Sequence, residues 1–266
     1  MLTKSHGLGN DYLVADPAEL PFVVTPERVR LLCDRHVGVG SDGLMLLDGE
    51  RGVRIFNPDG SEAEKSGNGL RIFARWLYDT GRVASPRFVV HTQGGDAAVE
   101  VHGAQVTVDM GVPRFRDDLT TIDVVGQRMS VVALSVGNPH CVILRPRLDV
   151  SELRELGPLV ERHPTFPNRT NVQLARAMAR DRVTLLIWER GAGETRASGS
   201  SACAVVAACH RLGLVDAEVD VTASMPGGDL LVRVDQRGSL WMAGPVEEIG
   251  RITLSSELIA RIQALP

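Results

Sequence analysis

The stretch Ser66-Gly-Asn-Gly-Leu-Arg-Ile-Phe-Ala-Arg-Trp-Leu decides the fold of this 266-residue chain, because it has a second form, Ser198-Gly-Ser-Ser-Ala-Cys-Ala-Val-Val-Ala-Ala-Cys. In both forms a serine, which is a preferred helix cap, ends a polar turn and an apolar run follows. After Ser66 the apolar residues recur on one helical face, whereas after Ser198 the run is apolar all round. The sequence therefore predicts one serine-capped, buried helix in each half of the chain.

Further short motifs repeat at nearly the same spacing, and this spacing predicts two similar domains. Gly94-Gly-Asp recurs as Gly227-Gly-Asp, Phe56-Asn57 aligns with Trp188-Glu189, and Gly9-Asn10-Asp11 aligns with Gly137-Asn138-Pro139. A period of about half the chain is far longer than the 20 to 50 residues of solenoid repeats. We expect an α/β (α+β) protein of two pseudosymmetric domains facing each other, each a curved, mainly antiparallel sheet around its central helix.

The domain boundary is predicted near Arg114 to Thr121, which gives an N-terminal half of residues 1–117 and a C-terminal half of residues 118–253. Whether residues 254–266 return to the first half is left open. Strands are predicted at Tyr12-Leu-Val-Ala, Gly43-Leu-Met-Leu-Leu and Val183-Thr-Leu-Leu-Ile-Trp, and further helices at Pro26 to His36 and near Glu152 to Arg162.

Composition argues against several classes of partner. The net charge is −4 and aromatic residues make up only 4% of the chain, which disfavours binding to nucleic acid. No run of about 18 apolar residues and no signal peptide is evident, so we expect a cytoplasmic protein that does not bind membranes. The histidines lack metal-binding spacing, so no metal is expected. Gly38-Val-Gly-Ser-Asp-Gly follows a helical segment and precedes a strand, the reverse of the dinucleotide-binding context, so no nicotinamide cofactor is expected.

The two predicted helix starts suggest a chemistry. A helix N-terminus carries unpaired N–H groups and a partial positive charge, so two of them meeting at one point would bind a carboxylate without any lysine or arginine. The cap side chains, Ser66 and Ser198, would then flank the α-carbon of a small amino-acid substrate. One would remove the α-proton and the other would donate a proton from the opposite face, as in a two-base racemase.

Six motifs in order along the chain resemble the diaminopimelate epimerase family. They are His6-Gly-Leu-Gly-Asn-Asp, Asn57-Pro-Asp-Gly-Ser-Glu-Ala-Glu, Ser66-Gly-Asn-Gly-Leu-Arg, Gly137-Asn-Pro-His, Thr170-Asn-Val and Trp188-Glu-Arg-Gly-Ala-Gly-Glu-Thr. The resemblance implies a homodimeric isomerase that needs no cofactor and interconverts LL- and meso-diaminopimelate in lysine biosynthesis.

The resemblance also assigns substrate-binding positions. Five residues match family positions that bind the substrate, chiefly its non-reacting end: Asn10, Asn57, Asn138, Asn171 and Arg190. Glu189 matches a family position that holds an ammonium group. Four residues match family positions at the helix starts, where the reacting carboxylate binds: Gly67, Asn68, Gly199 and Ser200.

The catalytic pair departs from the family pattern. The resembling family carries its two acid/base residues as cysteines, and this chain has Ser66 and Ser198 at those positions. A thiol supplies a thiolate base near neutral pH, whereas a hydroxyl needs a neighbour that takes its proton.

Three interpretations stay open at this point. The first is an epimerase in which one of Lys65, Glu64, His140 or Asp11 assists a serine. The second is an isomerase of another small carboxylic acid. The third is a catalytically silent amino-acid binder, natural or engineered.

Overall fold

A computed structural model describes all residues from Met1 to Pro266 and divides the chain into two units. Unit 1 comprises residues 1–108 and 244–266, and unit 2 comprises residues 109–243. The sequence-based boundary, at 117/118, leaves residues 244–253 in the second half. In the structure this segment contains a strand that pairs with the N-terminal strand, so the hydrogen bonds of the first sheet bring it back to unit 1.

The elements run in the following order. The first part of the chain contains β1 (Leu2–Gly7), β2 (Asn10–Ala15), a 3-10 turn (Pro17–Glu19), α1 (Pro26–Cys33), β3 (Leu44–Asp48), β4 (Gly52–Phe56), β5 (Glu62–Ala63), α2 (Gly67–Asp79), β6 (Arg87–Thr92), β7 (Gly95–His102) and β8 (Gln105–Gly111). The next part contains β9 (Arg114–Phe115), β10 (Thr121–Val124), β11 (Gln127–Ser130), β12 (Val132–Ser135), β13 (Pro139–Leu144), α3 (Val150–Glu161), β14 (Asn171–Ala179), β15 (Arg182–Glu189), β16 (Gly193–Thr195), α4 (Gly199–Arg211), β17 (Val221–Met225), β18 (Gly228–Val234) and β19 (Leu240–Pro245). The chain ends with β20 (Glu247–Ile252) and α5 (Ser256–Gln263).

The two units have the same strand-pairing pattern. In unit 1, β1 pairs antiparallel with β2, β2 parallel with β3, β3 antiparallel with β4, and β4 antiparallel with β5 and parallel with β6. In unit 2, β12 to β17 repeat this order of antiparallel and parallel pairs, with β13, β14 and β15 in the places of β2, β3 and β4. Each parallel connection contains a helix, as parallel strands require a crossover. The predicted fold class, a duplicated α/β unit built on mainly antiparallel sheets, is confirmed.

The two serine-capped helices, α2 and α4, form the interior of their units. Ser66 and Ser198 are the N-cap residues, both with extended backbone dihedrals, so both predicted helix starts are confirmed. Helix α4 is buried continuously from Ser201 to Cys209. Helix α2 is buried on more of its circumference than its apolar stripe predicts. Even Arg71 is fully buried. Sheet residues thus surround each helix on several sides, which removes about 25 cal/mol of unfavourable hydration per Å² of apolar surface covered.

Some elements were not predicted from sequence. They include β1, whose sequence Leu-Thr-Lys-Ser-His-Gly has four polar residues in a row, β14, and the short helix α5 at the C-terminus. Helix α1 also ends at Cys33, three residues before the predicted His36, where Asp34 takes an extended conformation and accepts the N–H groups of His36 and Val37. The four cysteine side chains are buried, and no helix has the length and apolarity needed to cross a membrane.

Candidate active site

The start of helix α2 offers two backbone donors. The Ser66 hydroxyl oxygen accepts the N–H of Gly69 at 3.1 Å, and the first helical bond joins Leu70 N to the Ser66 carbonyl at 2.8 Å. The N–H groups of Gly67 and Asn68 have no such partner, as expected in a first helical turn. These two groups, at positions predicted from the resemblance, can donate to a carboxylate.

The start of helix α4 differs from that of α2 in its cap. The Ser198 side chain makes no capping hydrogen bond, and its hydroxyl oxygen lies 3.5 Å from that of Ser200. The first helical bond joins Ala202 N to the Ser198 carbonyl at 3.0 Å. The N–H groups of Gly199, Ser200 and Ser201 therefore remain available, one donor more than at α2. The Ser198 hydroxyl does not cap its helix and can therefore hydrogen bond to other groups.

This difference predicts unequal losses of stability. Ser66→Ala removes a side-chain cap and should lower the free energy of unfolding by about 1 kcal/mol, whereas Ser198→Ala removes none and should cost clearly less. Chemical denaturation of the two variants checks this. Ser255→Ala is the matched control, because Ser255 caps α5 through Leu258 N at 3.2 Å and should also cost about 1 kcal/mol. Equal losses for Ser66 and Ser198 would show that the caps act alike.

The amide of Asn10 fixes the orientation of Asn68. The Asp42 carboxylate can only accept, so Asn10 donates its Nδ2 to Asp42 Oδ2 at 2.9 Å and turns its Oδ1 toward Asn68. Asn68 Nδ2 donates to that oxygen at 3.3 Å, which leaves Asn68 Oδ1 buried without a hydrogen-bond partner. A buried acceptor without a donor is uncommon in native structures. This oxygen can accept a hydrogen bond from a ligand ammonium or hydroxyl group.

Asp11 belongs to a charge cluster, and its ion pairs are with Arg35 and Lys4. Its carboxylate lies 2.6 Å from the Arg35 guanidinium and 3.1 Å from the Lys4 ammonium. Burial would raise the pKa of Asp11, but the hydrogen bonds and charges of Arg35 and Lys4 lower it overall. Arg35 also binds Asp42 at 2.7 Å, so this cluster holds the carboxylate that orients Asn10.

In unit 2 a buried chain of polar side chains orients Asn138. His140 is fully buried, and this burial lowers its pKa to about 3, so the ring is neutral at pH 7. Gln173 Nε2 donates to His140 Nδ1 at 3.0 Å, which leaves Nε2–H to donate to Asn138 Oδ1 at 2.9 Å. Gln173 also contacts the Ser201 hydroxyl of α4 at 3.0 Å. His140 therefore positions Asn138 and hydrogen bonds to neither cap serine.

The remaining predicted binding residues lie in or beside turns. Asn171 Oδ1 accepts the backbone N–H of Arg190 at 2.9 Å, and Asn171 Nδ2 donates to the Pro139 carbonyl at 2.9 Å. The Arg190 guanidinium is exposed and donates to the Asn168 carbonyl at 3.2 Å. Asn57, in unit 1, donates its Nδ2 to the Ser61 hydroxyl at 3.0 Å. Asn171 thus joins the Gly-Asn-Pro-His segment to the loop that carries Arg190.

Glu189 is the carboxylate beside Ser198. Burial raises the pKa of Glu189 above its ordinary value, and hydrogen bonds from the hydroxyls of Thr195 and Ser198 offset only part of that effect. The Thr195 hydroxyl lies 3.0 Å from the carboxylate. A partly desolvated carboxylate that is hydrogen bonded to a hydroxyl can take the hydroxyl proton. The resemblance assigns Glu189 to an ammonium group, and the raised pKa of Glu189 also suits it to accept a proton.

Glu161, at the end of α3, holds the loop that carries Glu189 and Arg190. Its carboxylate accepts Trp188 Nε1 at 2.8 Å and the Gly191 N–H at 3.0 Å, and it forms an ion pair with Arg169. Burial would raise the pKa of Glu161, but these hydrogen bonds and the Arg169 charge lower it overall. The two sides of the loop are therefore fixed to one buried carboxylate.

Sequence reasoning missed three residues that contact the site. Tyr12 places its hydroxyl 3.4 Å from the Ser66 hydroxyl, Gln173 orients His140, and Glu161 fixes the 189–191 loop. Their partners lie 54, 33 and 30 residues away in sequence. Of these three residues, only Tyr12 could have been found from the internal repeat. The alignment that pairs Asn10 with Asn138 also pairs Tyr12 with His140. Both units thus have a ring with a hydrogen-bonding group at the aligned position.

Comparison with known proteins identifies the family. The family model described as diaminopimelate epimerase matches residues 2–116 and 132–249, which is most of the chain. The chain belongs to the diaminopimelate epimerase family. Among its relatives, diaminopimelate epimerase 2 of Nostoc sp. strain PCC 7120 is 43% identical over 280 residues, covering 97% of this chain and 96% of the relative. Diaminopimelate epimerase of Pseudomonas syringae pv. syringae is 38% identical, covering 93% of this chain and 96% of the relative.

Solved structures of other proteins share the fold of this member of the diaminopimelate epimerase family. A hydroxyproline epimerase from Agrobacterium vitis, with trans-4-hydroxy-L-proline bound, matches with a TM-score of 0.70 at 16% identity, covering 94% of this chain and 90% of that one. A phenazine biosynthesis protein from Bacillus anthracis matches with a TM-score of 0.70 at 16% identity, covering 96% and 99%. At such low identity these likenesses concern the fold alone.

Proposed function

We propose that this chain is a cofactor-independent epimerase that interconverts LL- and meso-diaminopimelate in lysine biosynthesis, as a homodimer in the cytoplasm. Membership of the diaminopimelate epimerase family supports an epimerase-type reaction. One observation carries the proposal further: both units present a serine-capped helix start with unpaired N–H groups at the same point of a repeated topology. The catalytic pair in this proposal is Ser66 and Ser198.

The helix starts bind the carboxylate at the reacting carbon. The N–H groups of Gly67, Asn68, Gly199 and Ser200 donate to its oxygens, and both helix dipoles favour the negative charge. When the α-proton leaves, charge moves from the α-carbon into this carboxylate. Donors that are already in place stabilise the new charge without reorganisation, which lowers the barrier.

Ser198 removes the α-proton with the help of Glu189. As the Ser198 oxygen takes the proton from the α-carbon, its own hydroxyl proton passes to the Glu189 carboxylate, so one C–H bond and one O–H bond break while two O–H bonds form. The raised pKa of Glu189 makes it a better proton acceptor than an ordinary carboxylate. Ser66 supplies a proton to the other face of the carbon.

The polar side chains hold the rest of the substrate. Asn68 Oδ1, buried without a partner, suits an ammonium hydrogen. The amide nitrogen of Asn138 donates to the substrate, because the Asn138 oxygen is already bonded to His140. The exposed Arg190 binds the carboxylate of the non-reacting end, with Asn10, Asn57 and Asn171 shaping that end of the site.

Direct product analysis tests the proposed function. The purified protein is incubated with LL-diaminopimelate, and the stereoisomers are separated by chiral chromatography. We expect meso-diaminopimelate to appear in proportion to enzyme concentration, and the double variant Ser66→Ala/Ser198→Ala to form none. A protein that binds LL-diaminopimelate by calorimetry but forms no meso isomer at high concentration is a binder and not an epimerase.

Arg190→Ala should change the preference for substrates with two carboxylates. Loss of a charged hydrogen-bond donor costs about 1.5 kcal/mol, so diaminopimelate should bind roughly 10-fold more weakly while a monocarboxylate analogue such as L-norleucine is little affected. Calorimetric titration with both ligands measures this. Arg196→Ala is the matched control, because Arg196 is also exposed and also donates to a backbone carbonyl, that of Pro226. Equal weakening for both ligands would remove Arg190 as the distal anchor.

A further inference from the structure

We infer, on the basis of the function proposed above, that Tyr12 is a positioning residue that relays protons to Ser66 and so makes this serine a usable acid. In the proposed function Glu189 takes the proton of Ser198, whereas the hydrogen-bond partners of the Ser66 hydroxyl are Tyr12 and the Gly69 N–H. The Tyr12 hydroxyl lies 3.4 Å from the Ser66 hydroxyl. The two cap serines would then use different partners, a phenol in unit 1 and a carboxylate in unit 2.

The fold holds the Tyr12 ring in place beside Ser66. Tyr12 lies on β2, opposite Ser5 of β1, and only 7% of it is exposed. Gly43 gives the ring its space, because a Cβ at this position would lie 2.6 Å from Tyr12 Cε1 and 2.5 Å from the Phe56 carbonyl oxygen. Glycine is the residue that allows so close an approach. The sequence therefore keeps a small residue where the aromatic ring must reach the helix cap.

The hydrogen-bond capacity of Ser66 permits the relay. Its oxygen already accepts the Gly69 N–H at 3.1 Å, which leaves one acceptor position and its own proton. The Tyr12 hydroxyl can donate to the remaining position while the Ser66 proton is directed to the substrate. Either atom of the Tyr12–Ser66 pair can act as donor at this distance, so the relay can run in both directions.

The chemistry of the two groups gives the relay its direction. A phenol is a far stronger acid than an alcohol, so within this pair the Tyr12 hydroxyl is the better proton donor. The α-carbanion takes the Ser66 proton as a C–H bond forms, and Ser66 takes the Tyr12 proton, leaving a phenolate. The phenolate and the protonated Glu189 then return to their resting states by exchange with solvent, or the reverse reaction restores them.

Tyr12→Phe separates proton exchange from inversion. In deuterated water, the epimer whose α-proton faces Ser198 should still exchange it for deuterium in this variant, because Ser198 and Glu189 are intact. Inverted product, measured by chiral chromatography, should fall by about 10²-fold, because the opposite face lacks its donor. Loss of a merely structural contact would reduce exchange and inversion together. Tyr78→Phe, which changes the other tyrosine, on α2, should leave both rates unchanged.

A second variant checks the role of Tyr12 independently. In a Ser66→Cys background the thiol is itself a sufficient acid, so adding Tyr12→Phe should change the inversion rate by less than about twofold instead of about 10²-fold. Equal losses in both backgrounds, or a Tyr12→Phe variant that inverts at the wild-type rate, would overturn the relay while leaving the proposed function intact. A wild-type protein that neither exchanges nor inverts would overturn the proposed function, and the relay with it.

Discussion

Replacing both cap serines by cysteine, in the variant Ser66→Cys/Ser198→Cys, is expected to raise kcat/KM for epimerisation by about 10²-fold or more. A thiol with an ordinary pKa of about 8.5, lowered further at a helix N-terminus, gives a base without help from a neighbour. In the proposed mechanism a serine instead depends on a second proton transfer, to Glu189 or from Tyr12. Well-matched acid–base catalysis is worth about 10² to 10⁴-fold, which sets the size of the expected gain.

The measurement is the initial rate of meso-diaminopimelate formation at several substrate concentrations. Ser255→Cys is the control, since it places a thiol at a helix cap that belongs to no predicted site and should leave the rate unchanged. The pH dependence should also change, because the cysteine variant should depend on thiolate formation. A cysteine variant that binds diaminopimelate normally but reacts no faster would mean that the pocket serves another reaction.

Glu161→Ala is expected to lower the free energy of unfolding by about 3 kcal/mol. The change leaves the half-buried Trp188 Nε1 and the Gly191 N–H without their acceptor, and it removes the charge that pairs with Arg169. Denaturant titration measures the loss. Glu155→Ala, on the exposed side of the same helix α3, is the matched control and should change the stability by less than about 0.5 kcal/mol. Similar losses for both variants would show that the Glu161 contacts contribute little.

The contribution of Glu161 should depend on pH in one direction. Its pKa in the folded protein lies below the ordinary value of 4.5, so the folded state binds its proton less readily than the unfolded chain does. The stability advantage of wild type over Glu161→Gln should therefore be full above the ordinary pKa of a glutamate and should be lost as the pH falls through the lowered folded value. Unfolding curves of both proteins across this acidic range measure it. An advantage that grows toward acid would contradict the assignment.

Local chemistry and repetition made the architecture predictable. A serine before an apolar run predicts a helix start because its hydroxyl can accept a hydrogen bond from an unpaired N–H group of the first turn. This rule predicted both α2 and α4. The shared spacing of the Ser66 and Ser198 motifs then gave a duplicated α/β fold, because two similar sequences fold into similar units. The pairing patterns of the two units agree strand by strand.

The contacts within the site were not predictable in the same way. Arg71 and Glu161 are charged residues in the interior, where pattern rules expect apolar ones, and their burial depends on partners that only the folded chain brings near. The sequence also treats Ser66 and Ser198 as equivalent caps. Packing makes them different, since the Ser66 hydroxyl caps its helix beside a phenol, whereas the Ser198 hydroxyl makes no cap bond and lies 3.5 Å from that of Ser200.

Exchange of the α-proton with solvent tests the central claim most directly, that the serine-capped site moves a proton on diaminopimelate. The wild-type protein is incubated with LL-diaminopimelate in deuterated water, and the α-proton signal is followed by NMR, with binding verified by calorimetry. We expect the signal to decline at a rate proportional to enzyme concentration while the deuterated meso isomer appears. An unchanged α-proton signal at high enzyme concentration, with diaminopimelate bound, would contradict the account.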